Sequence, residues 1–449
     1  QKDSMNKNFY LETFGCQMNV VDSEQIVALL KGIGYGQVDH PEAADLILLN
    51  TCSVRDKAER KVYGHLGRFK PIKDQRPDLI LAVGGCVAQQ EGERMLEQVA
   101  YLDVVFGTHN IHRLPEMVEQ VENNRKRAAV TSFLDADNRR RLFPQRSQQS
   151  SVSRYVTVMQ GCDNFCSYCI VPHVRGREVS RPSEDILTEI RQLVAQGVRE
   201  VTLLGQNVNS YGNRDAGEIS FADLLHRVQA IEGLQRLRFA TSHPKDLTPE
   251  LIACFGSLDK LCKHMHLPLQ SGSDAILKQM NRGYSAADYL NKVDQLRRAC
   301  PEIRLTSDII VGFPNESQAD FQATLDLVEQ VGYADAYTFL YSPREGTAAA
   351  QITDHESAEG KQRRFEELVQ TQRRISREIW KTDLNSVLPV LVEGPSKQGR
   401  GQLFGRTTGN RIVNFSGSSK LVGRMVPVRI TQVGSNSNIG QLEEPTEES

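Results

Sequence analysis

Residues 162–169 read Cys162-Asp-Asn-Phe-Cys166-Ser-Tyr-Cys169, three thiols in a C-x3-C-x2-C spacing directly after the apolar run Tyr155–Gln160. Thiolates are soft ligands, and so tight a trio points to a metal or iron–sulfur centre more than to packing. A four-iron cube takes one outside ligand per iron, so three cysteines leave one iron open for another ligand. A structural zinc site would need a fourth N or S ligand to close its tetrahedron. His173, four residues past Cys169, is the nearest rival for that place.

A second trio is spread over the first hundred residues. Phe9–Thr13 leads into Gly15-Cys16, Asp45–Asn50 into Thr51-Cys52, and Leu79–Val83 into Gly84-Gly85-Cys86. Each time an apolar run ends in small residues and a cysteine, and helix-like sequence follows. Short apolar runs alternating with helical patterns predict a parallel sheet built from crossover units. The loops outside the carboxyl ends of such strands form the ligand crevice. Cys16, Cys52 and Cys86 are therefore expected to converge as a second three-thiolate site, against the alternative of three separate core cysteines.

From Tyr155 to about Glu378 strand, loop and helix repeat. The expected strands are Tyr155–Gln160, Glu200–Leu204, Leu237–Ala240, His264–Leu269, Arg304–Val311 and Ala336–Tyr341. Ser183 and Ser317 are predicted as N-caps, the latter with Asp320 three residues on. Polar motifs follow the strands, among them Gly205-Gln206-Asn207, Gln270-Ser271-Gly272 and Gly312-Phe313-Pro314. In a (β/α) barrel the strand carboxyl ends build the active site, and six units make an open, partial barrel. Past Trp380 the pattern changes to Val387–Val392, Arg400–Thr407, Ile412–Phe415 and Met425–Ile430 between glycine-containing turns, which predicts a small antiparallel barrel. Lys381 to Ile439 holds eight Lys/Arg against Asp383 and Glu393, a local charge of +6.

The whole-chain balance hides that patch. Over 449 residues the net charge is −2, and the length suggests about three domains. No apolar run reaches the ~18 residues of a membrane span, and the first residues carry no apolar signal region. Nine cysteines in a chain this long do not resemble a secreted disulfide framework. Cys254, Cys262 and Cys300 read as core residues. A reducing, cytoplasmic setting is expected.

These motifs resemble known families. The Cys162/Cys166/Cys169 loop is similar to the cluster signature of radical S-adenosylmethionine (SAM) enzymes, whose open iron chelates SAM. Glu393-Gly-Pro-Ser-Lys397, Gly405-Arg406-Thr407 and Asn410 resemble the TRAM domain, an RNA-binding module. The Cys16/Cys52/Cys86 domain, radical SAM core and TRAM barrel in this order resemble the methylthiotransferases along nearly the whole chain. Val201-Thr-Leu-Leu-Gly-Gln-Asn-Val-Asn-Ser-Tyr211, Ile170-Val-Pro-His-Val-Arg-Gly176 and Arg181-Pro182 fit the MiaB-type branch, which acts on isopentenyladenosine in tRNA. Asn315 departs from the pattern, standing where Gly is usual after Gly-Phe-Pro.

The resemblance implies an α/β chain with a parallel N-terminal domain (1–125), a basic linker (126–150), a partial (β/α)6 radical SAM barrel (151–379), a TRAM barrel (380–442) and an acidic tail (443–449). It implies two [4Fe-4S] clusters, one on each cysteine trio, and SAM as methyl donor and radical source. The product would be a 2-methylthio group at C2 of the modified adenosine at position 37, next to the anticodon. Tyr168, Gln206, Asn207, Gln270, Ser271, Val311 and Phe313 are the expected SAM or substrate contacts. Lys397, Arg406 and Arg411 are the expected RNA contacts. A reduced donor such as flavodoxin or ferredoxin, and a single-copy enzyme, complete the expectation. Threonylcarbamoyl-adenosine or a ribosomal-protein aspartate are the alternative substrates. An iron–sulfur redox carrier is the non-enzyme alternative, and it would need neither the SAM rim nor an RNA-binding barrel.

Overall fold

The computed structural model describes residues 7–53, 58–135, 138, 141–143, 151–215, 217–397, 399 and 401–443. Arg139, Arg140, residues 144–150, Arg400 and tail residues 444–449 lie outside them. The chain divides into two compact units, one of residues 1–149, 159–163 and 169–181, the other of 150–158, 164–168 and 182–449.

In the first unit six strands form one all-parallel sheet: β1 (Asn8–Thr13), β2 (Gly36–Gln37), β3 (Leu46–Thr51), β4 (Ile80–Gly85), β5 (Val104–Phe106) and β6 (Ala128–Val130). Their order is β2-β1-β3-β4-β5-β6. β3 and β4 are buried at every position, as strands covered on both faces must be. The period of two sorts their side chains. Leu46, Leu48, Ile80 and Ala82 join the core under helices Gln17–Gly32 and Leu114–Asn124. Ile47, Leu49, Leu81 and Val83 join the core under helix Ala58–Gln75. The direction of winding reverses between β1 and β3, and in such sheets the crevice at the reversal holds the ligand. The basic stretch expected as linker from 126 is sheet at its start. Ala128–Val130 pairs with β5, and Arg127 donates to the carbonyls of Leu102 (2.7 Å) and Val99 (2.9 Å).

In the second unit six parallel strands, Ser153–Thr157, Glu200–Leu204, Arg236–Phe239, His264–His266, Arg304–Val311 and Asp335–Leu340, follow one another in chain order. The third and fourth are joined by a bridge from Leu237 to Leu261. The first and last do not pair, so the barrel is open along Asp335–Leu340. Ser317 caps helix Gln318–Val331 in a reciprocal box with Asp320. Ser183 does not cap as expected. It is the first helical residue, and its N–H donates to the Glu218 carboxylate at 3.0 Å.

The C-terminal barrel closes in the order Val387–Pro395, Gln402–Arg406, Ile412–Ser416, Ser437–Leu442 and Met425–Val433. It is not wholly antiparallel, because Ile412–Ser416 and Ser437–Leu442 run parallel. Two buried arginines of the third core strand hold this barrel. Arg236 donates to the carbonyls of Arg406 and Pro389, the latter at 2.7 Å. Arg238 donates to Thr407 O (2.6 Å) and Thr408 O (3.2 Å) and pairs with buried Glu200 (3.0 Å). A buried guanidinium persists only when its donors and its charge are both met; for Arg238 two main-chain carbonyls and the Glu200 carboxylate do so, whereas Arg236 keeps a buried Nε without a partner.

Two candidate iron–sulfur centres

Cys16 follows β1, Cys52 follows β3, and Cys86 opens the helix after β4. Three neighbouring strands thus bring the first trio to the sheet's reversal point, as the sequence pattern requires. The glycines before Cys16 and Cys86 are obligatory. Gly15 has φ +106°, and a Cβ there would lie 2.6 Å from Cys52 Sγ. At Gly85, with φ +94°, it would lie 2.3 Å from Thr51 O. Only glycine combines that backbone with so close an approach.

Polar groups hold these loops. Asn19 donates to Thr51 O (2.8 Å) and Phe14 O (2.9 Å), tying the two cysteine loops together. Asn50 donates to Asn19 O (2.9 Å) and Ser23 Oγ (2.9 Å). Arg175 is buried and pairs with buried Asp22 at 2.6 Å, while its Nη1 has no oxygen or nitrogen partner. A hydrogen bond from Cys52 pulls the Cys16 thiol down to about 6, and the Arg175 charge helps. Burial pushes Cys86 up, opposed by Arg175. Among the described residues no three His, Cys, Asp or Glu side chains converge closely enough to hold one ion. A cube, which asks for one thiolate on each of three irons, suits thiols set on separate strand ends with a cation facing them.

The second trio sits on the loop after the first core strand. Cys162 N donates to Gly176 O at 3.2 Å, and Asp163 pairs with Arg177 at 2.9 Å. Further along, Ser167 N donates to Met280 O (3.0 Å), and Asn281 donates to Phe165 O (3.0 Å). Cys166 is buried, with Arg282 Nη1 3.3 Å from its sulfur and His243 Nε2 at 4.0 Å. Lys245 N–H donates to His243 Nδ1 at 3.2 Å, which leaves the ring proton on Nε2, facing sulfur. Burial, then the charges of Arg282, Lys245 and Lys292, push His243 down to about 2, so it stays neutral. A thiolate ringed by N–H donors and a fixed cation is suited to an iron–sulfur cube.

The expected rim residues divide. Tyr168 and Phe313 are brought together in one apolar cluster with Ile276 and Ile310, and the Tyr168 hydroxyl lies 3.4 Å from Arg282. Gln270 takes φ +72°, and its buried Oε1 has no partner. Asn207 donates to Asp246 at 2.7 Å and leaves Oδ1 buried without a partner. Those two oxygens are spare acceptors. Gln206 is half-buried. Ser271, Val311 and Phe313, also expected on this rim, are all 0 % exposed. Ser271 Oγ is used by Ser273 N (3.2 Å) and Thr324 (3.3 Å), and the Val311 and Phe313 side chains pack as core. Asn315 takes φ +64°, a left-handed position that glycine or asparagine fills most readily. The departure from Gly-Phe-Pro-Gly therefore keeps the same turn.

On the C-terminal barrel Lys397 is exposed. Arg406 pairs with Glu393 at 3.3 Å. Arg411 is 5 % exposed. It lies 4.6 Å over the Trp380 ring and donates to Ser435 O (3.1 Å) and Asn438 (3.2 Å). Its donors are committed, so it is a packing residue and not a free phosphate contact.

Residues 8–107 match the uncharacterized protein family UPF0004, residues 156–328 the radical SAM superfamily and residues 381–442 the TRAM domain. A protein of Syntrophotalea carbinolica named tRNA-2-methylthio-N(6)-dimethylallyladenosine synthase is 62 % identical, over 97 % of this chain and 99 % of its own. One of Geobacter sulfurreducens with the same name is 58 % identical, over 97 % and 98 %. The chain belongs to the tRNA-2-methylthio-N(6)-dimethylallyladenosine synthase family. In fold it is similar to TsrM from Kitasatospora setae, a radical S-adenosylmethionine methyltransferase, with TM-score 0.58 and 14 % identity over 77 % of this chain and 74 % of that one. This member of the synthase family joins a parallel cysteine-bearing sheet, a radical SAM barrel and a TRAM barrel in one chain. Sequence reading of this member missed Asp22, Arg175, His243 and Arg282. Asp22 and Arg175 lie beside cysteine motifs, in Asn19-x-x-Asp22 and the run Ile170–Gly176, and His243 stands in the strand-end run Thr241-Ser-His-Pro244, whereas nothing local marks Arg282. Among the described residues no helix is long and apolar enough to cross a membrane.

Proposed function

We propose that this chain adds a 2-methylthio group to C2 of N6-isopentenyladenosine at position 37 of tRNA, in the cytoplasm. The observation that carries this reading is the near-full-length identity to synthases so named, with both cysteine trios held in loops that suit clusters. Cys162, Cys166 and Cys169 would hold the radical SAM cluster, and Cys16, Cys52 and Cys86 a second one. An aromatic C–H is unactivated, and the clusters with SAM supply the one-electron and sulfur-transfer chemistry that acid–base groups cannot.

The chain's own residues then position and neutralise. Arg282 and the His243 Nε2–H stabilise negative charge on Cys166, and Asn209 fixes His243 through two hydrogen bonds of 2.8 and 2.9 Å. Arg175 balances negative charge at the first trio. Tyr168 presents an apolar face beside its loop, and the spare oxygens of Asn207 and Gln270 are acceptors for the amino or hydroxyl groups of SAM or substrate. Lys397 and Arg406 face RNA phosphates, and the target nucleotide leaves its stack to be reached. A reduced flavodoxin or ferredoxin supplies electrons, and one copy of the chain suffices.

Mass spectrometry of digested tRNA and ribosomal protein, from cells with and without the gene, tests this. Loss of 2-methylthio-isopentenyladenosine alone supports the reading. Loss of the threonylcarbamoyl product or of a modified aspartate replaces it, and no change in any of them returns the chain to an iron–sulfur carrier.

A further inference from the structure

The 24-residue helix Ala358–Lys381 carries Arg373, Arg377 and Lys381 at four-residue spacing, so all three lie on one face at about 6 Å intervals. All three are exposed. Among the described residues no carboxylate lies within salt-bridge distance of any of them, although the adjacent Arg374 pairs with Glu329 and with Glu378 (3.7 Å). These cations line a groove of about 1020 Å3, whose other walls are the edge strand at Asp335–Thr338 and the turn Val433–Asn436 of the C-terminal barrel. Arg411 fixes that turn through its bonds to Gly434 O and Ser435 O, and Trp380 floors the groove beneath it. Among the described residues Asp335 is the one acid in the lining. Its carboxylate accepts from Ala336 N at 2.9 Å, and the groove keeps a net positive charge.

We propose that this groove seats the phosphate backbone of the substrate tRNA, extending the RNA contact from the TRAM barrel along the open edge of the core. The inference rests on the function proposed above. Charge complementarity selects the occupant, because unpaired cations at regular spacing match a row of phosphates. The surface is also continuous with the barrel that the TRAM match covers. RNA therefore approaches the core from its open side, along strand Asp335–Leu340, where Tyr337 is 59 % and Phe339 39 % exposed.

The test compares full-length parent, the triple variant Arg373→Glu/Arg377→Glu/Lys381→Glu and its glutamine counterpart, all cluster-loaded. Binding to isopentenylated tRNA is titrated at several salt concentrations, beside SAM cleavage without RNA. The charge reversal should weaken binding at least tenfold at low salt and flatten the log–log salt slope by about two to three units, at roughly 0.7–0.9 per phosphate. The glutamine variant should show the same flattening, with RNA-free SAM cleavage unchanged in both. Equal slopes and affinities in parent and variants overturn the groove and leave the proposed function standing. Unchanged RNA binding with slowed reduction by flavodoxin would assign the groove to an acidic protein and overturn it too. A parent that binds tRNA without salt dependence overturns both readings.

Discussion

Replacing Arg282 by Met should lower the reduction potential of the radical SAM cluster by about 100 mV. The guanidinium lies 3.3 Å from Cys166 Sγ and is 4 % exposed, so solvent screens it little. Reduction adds one negative charge to a cube just beyond that sulfur. At roughly 6 Å and an effective dielectric of about 20, a fixed cation favours the added electron by ~2.8 kcal/mol. With about 59 mV per tenfold change for one electron, that is on the order of 120 mV, less whatever water enters the space. The substitution keeps volume and an apolar stem. Pro268 O, which accepts from Arg282 at 3.0 Å, retains the Tyr284 hydroxyl at 3.3 Å. The assay is an anaerobic redox titration followed by electron paramagnetic resonance, with the centre proposed at Cys16/Cys52/Cys86 as internal reference. A midpoint within about 20 mV of the parent would refute the electrostatic role, and an equal fall at both centres would mean general loosening.

In cluster-free protein Cys16, lowered to about 6, should alkylate faster at pH 7 than buried Cys86, its rate falling only as pH drops through 6. Peptide mapping checks this, and Arg175→Gln should shift the Cys16 profile upward. Glu316 is raised to about 7 by burial, so the folded state holds a proton that the unfolded state loses near pH 4.5. Stability should therefore fall as pH rises from about 4.5 to 7, and Glu316→Gln should flatten thermal unfolding across that window. Arg238→Met strands buried Glu200 and should cost about 3–5 kcal/mol, exposing the segment after Lys381 to protease. Adding Glu200→Gln should restore part of the loss, and an unrestored double variant would defeat the ion-pair account. Arg411→Gln should disturb the turn at Gly434–Ser435 and lower stability more than it changes the salt slope of RNA binding.

What was legible in the sequence follows the hydrophobic pattern. β3 and β4 are apolar throughout and read as buried strands, and the cysteines at their ends therefore read as neighbours. Ser437–Leu442 was invisible because its inward positions are Asn438 and Gly440, which carry no alternation. Ala128–Val130 was hidden by the exposed basic residues before it, of which Arg127 also donates to the carbonyls of Leu102 and Val99. Ser183 looked like a cap because side-chain type suits the role, but a distant carboxylate took its N–H. Charged residues are exposed by default, so nothing local announces that Arg175 and Arg282 are buried beside sulfur. The same default made Arg411 look available to RNA when tertiary packing had already claimed it.

The junction between core and C-terminal barrel has a consequence for divergence. Arg236 and Arg238 grip carbonyl oxygens of Pro389, Arg406, Thr407 and Thr408, plus the thioether of Met425. Carbonyls are the part of a chain that mutation leaves alone. Side chains on the barrel's outer surface can therefore be exchanged one by one without loosening the mount, provided the strands keep their register. Selection for a different RNA could act on that surface independently of the catalytic half, much as an interchangeable tool head is altered without recutting its fitting. The two arginines and Glu200 are fixed points, and variation should be concentrated on the exposed positions of the strands they hold.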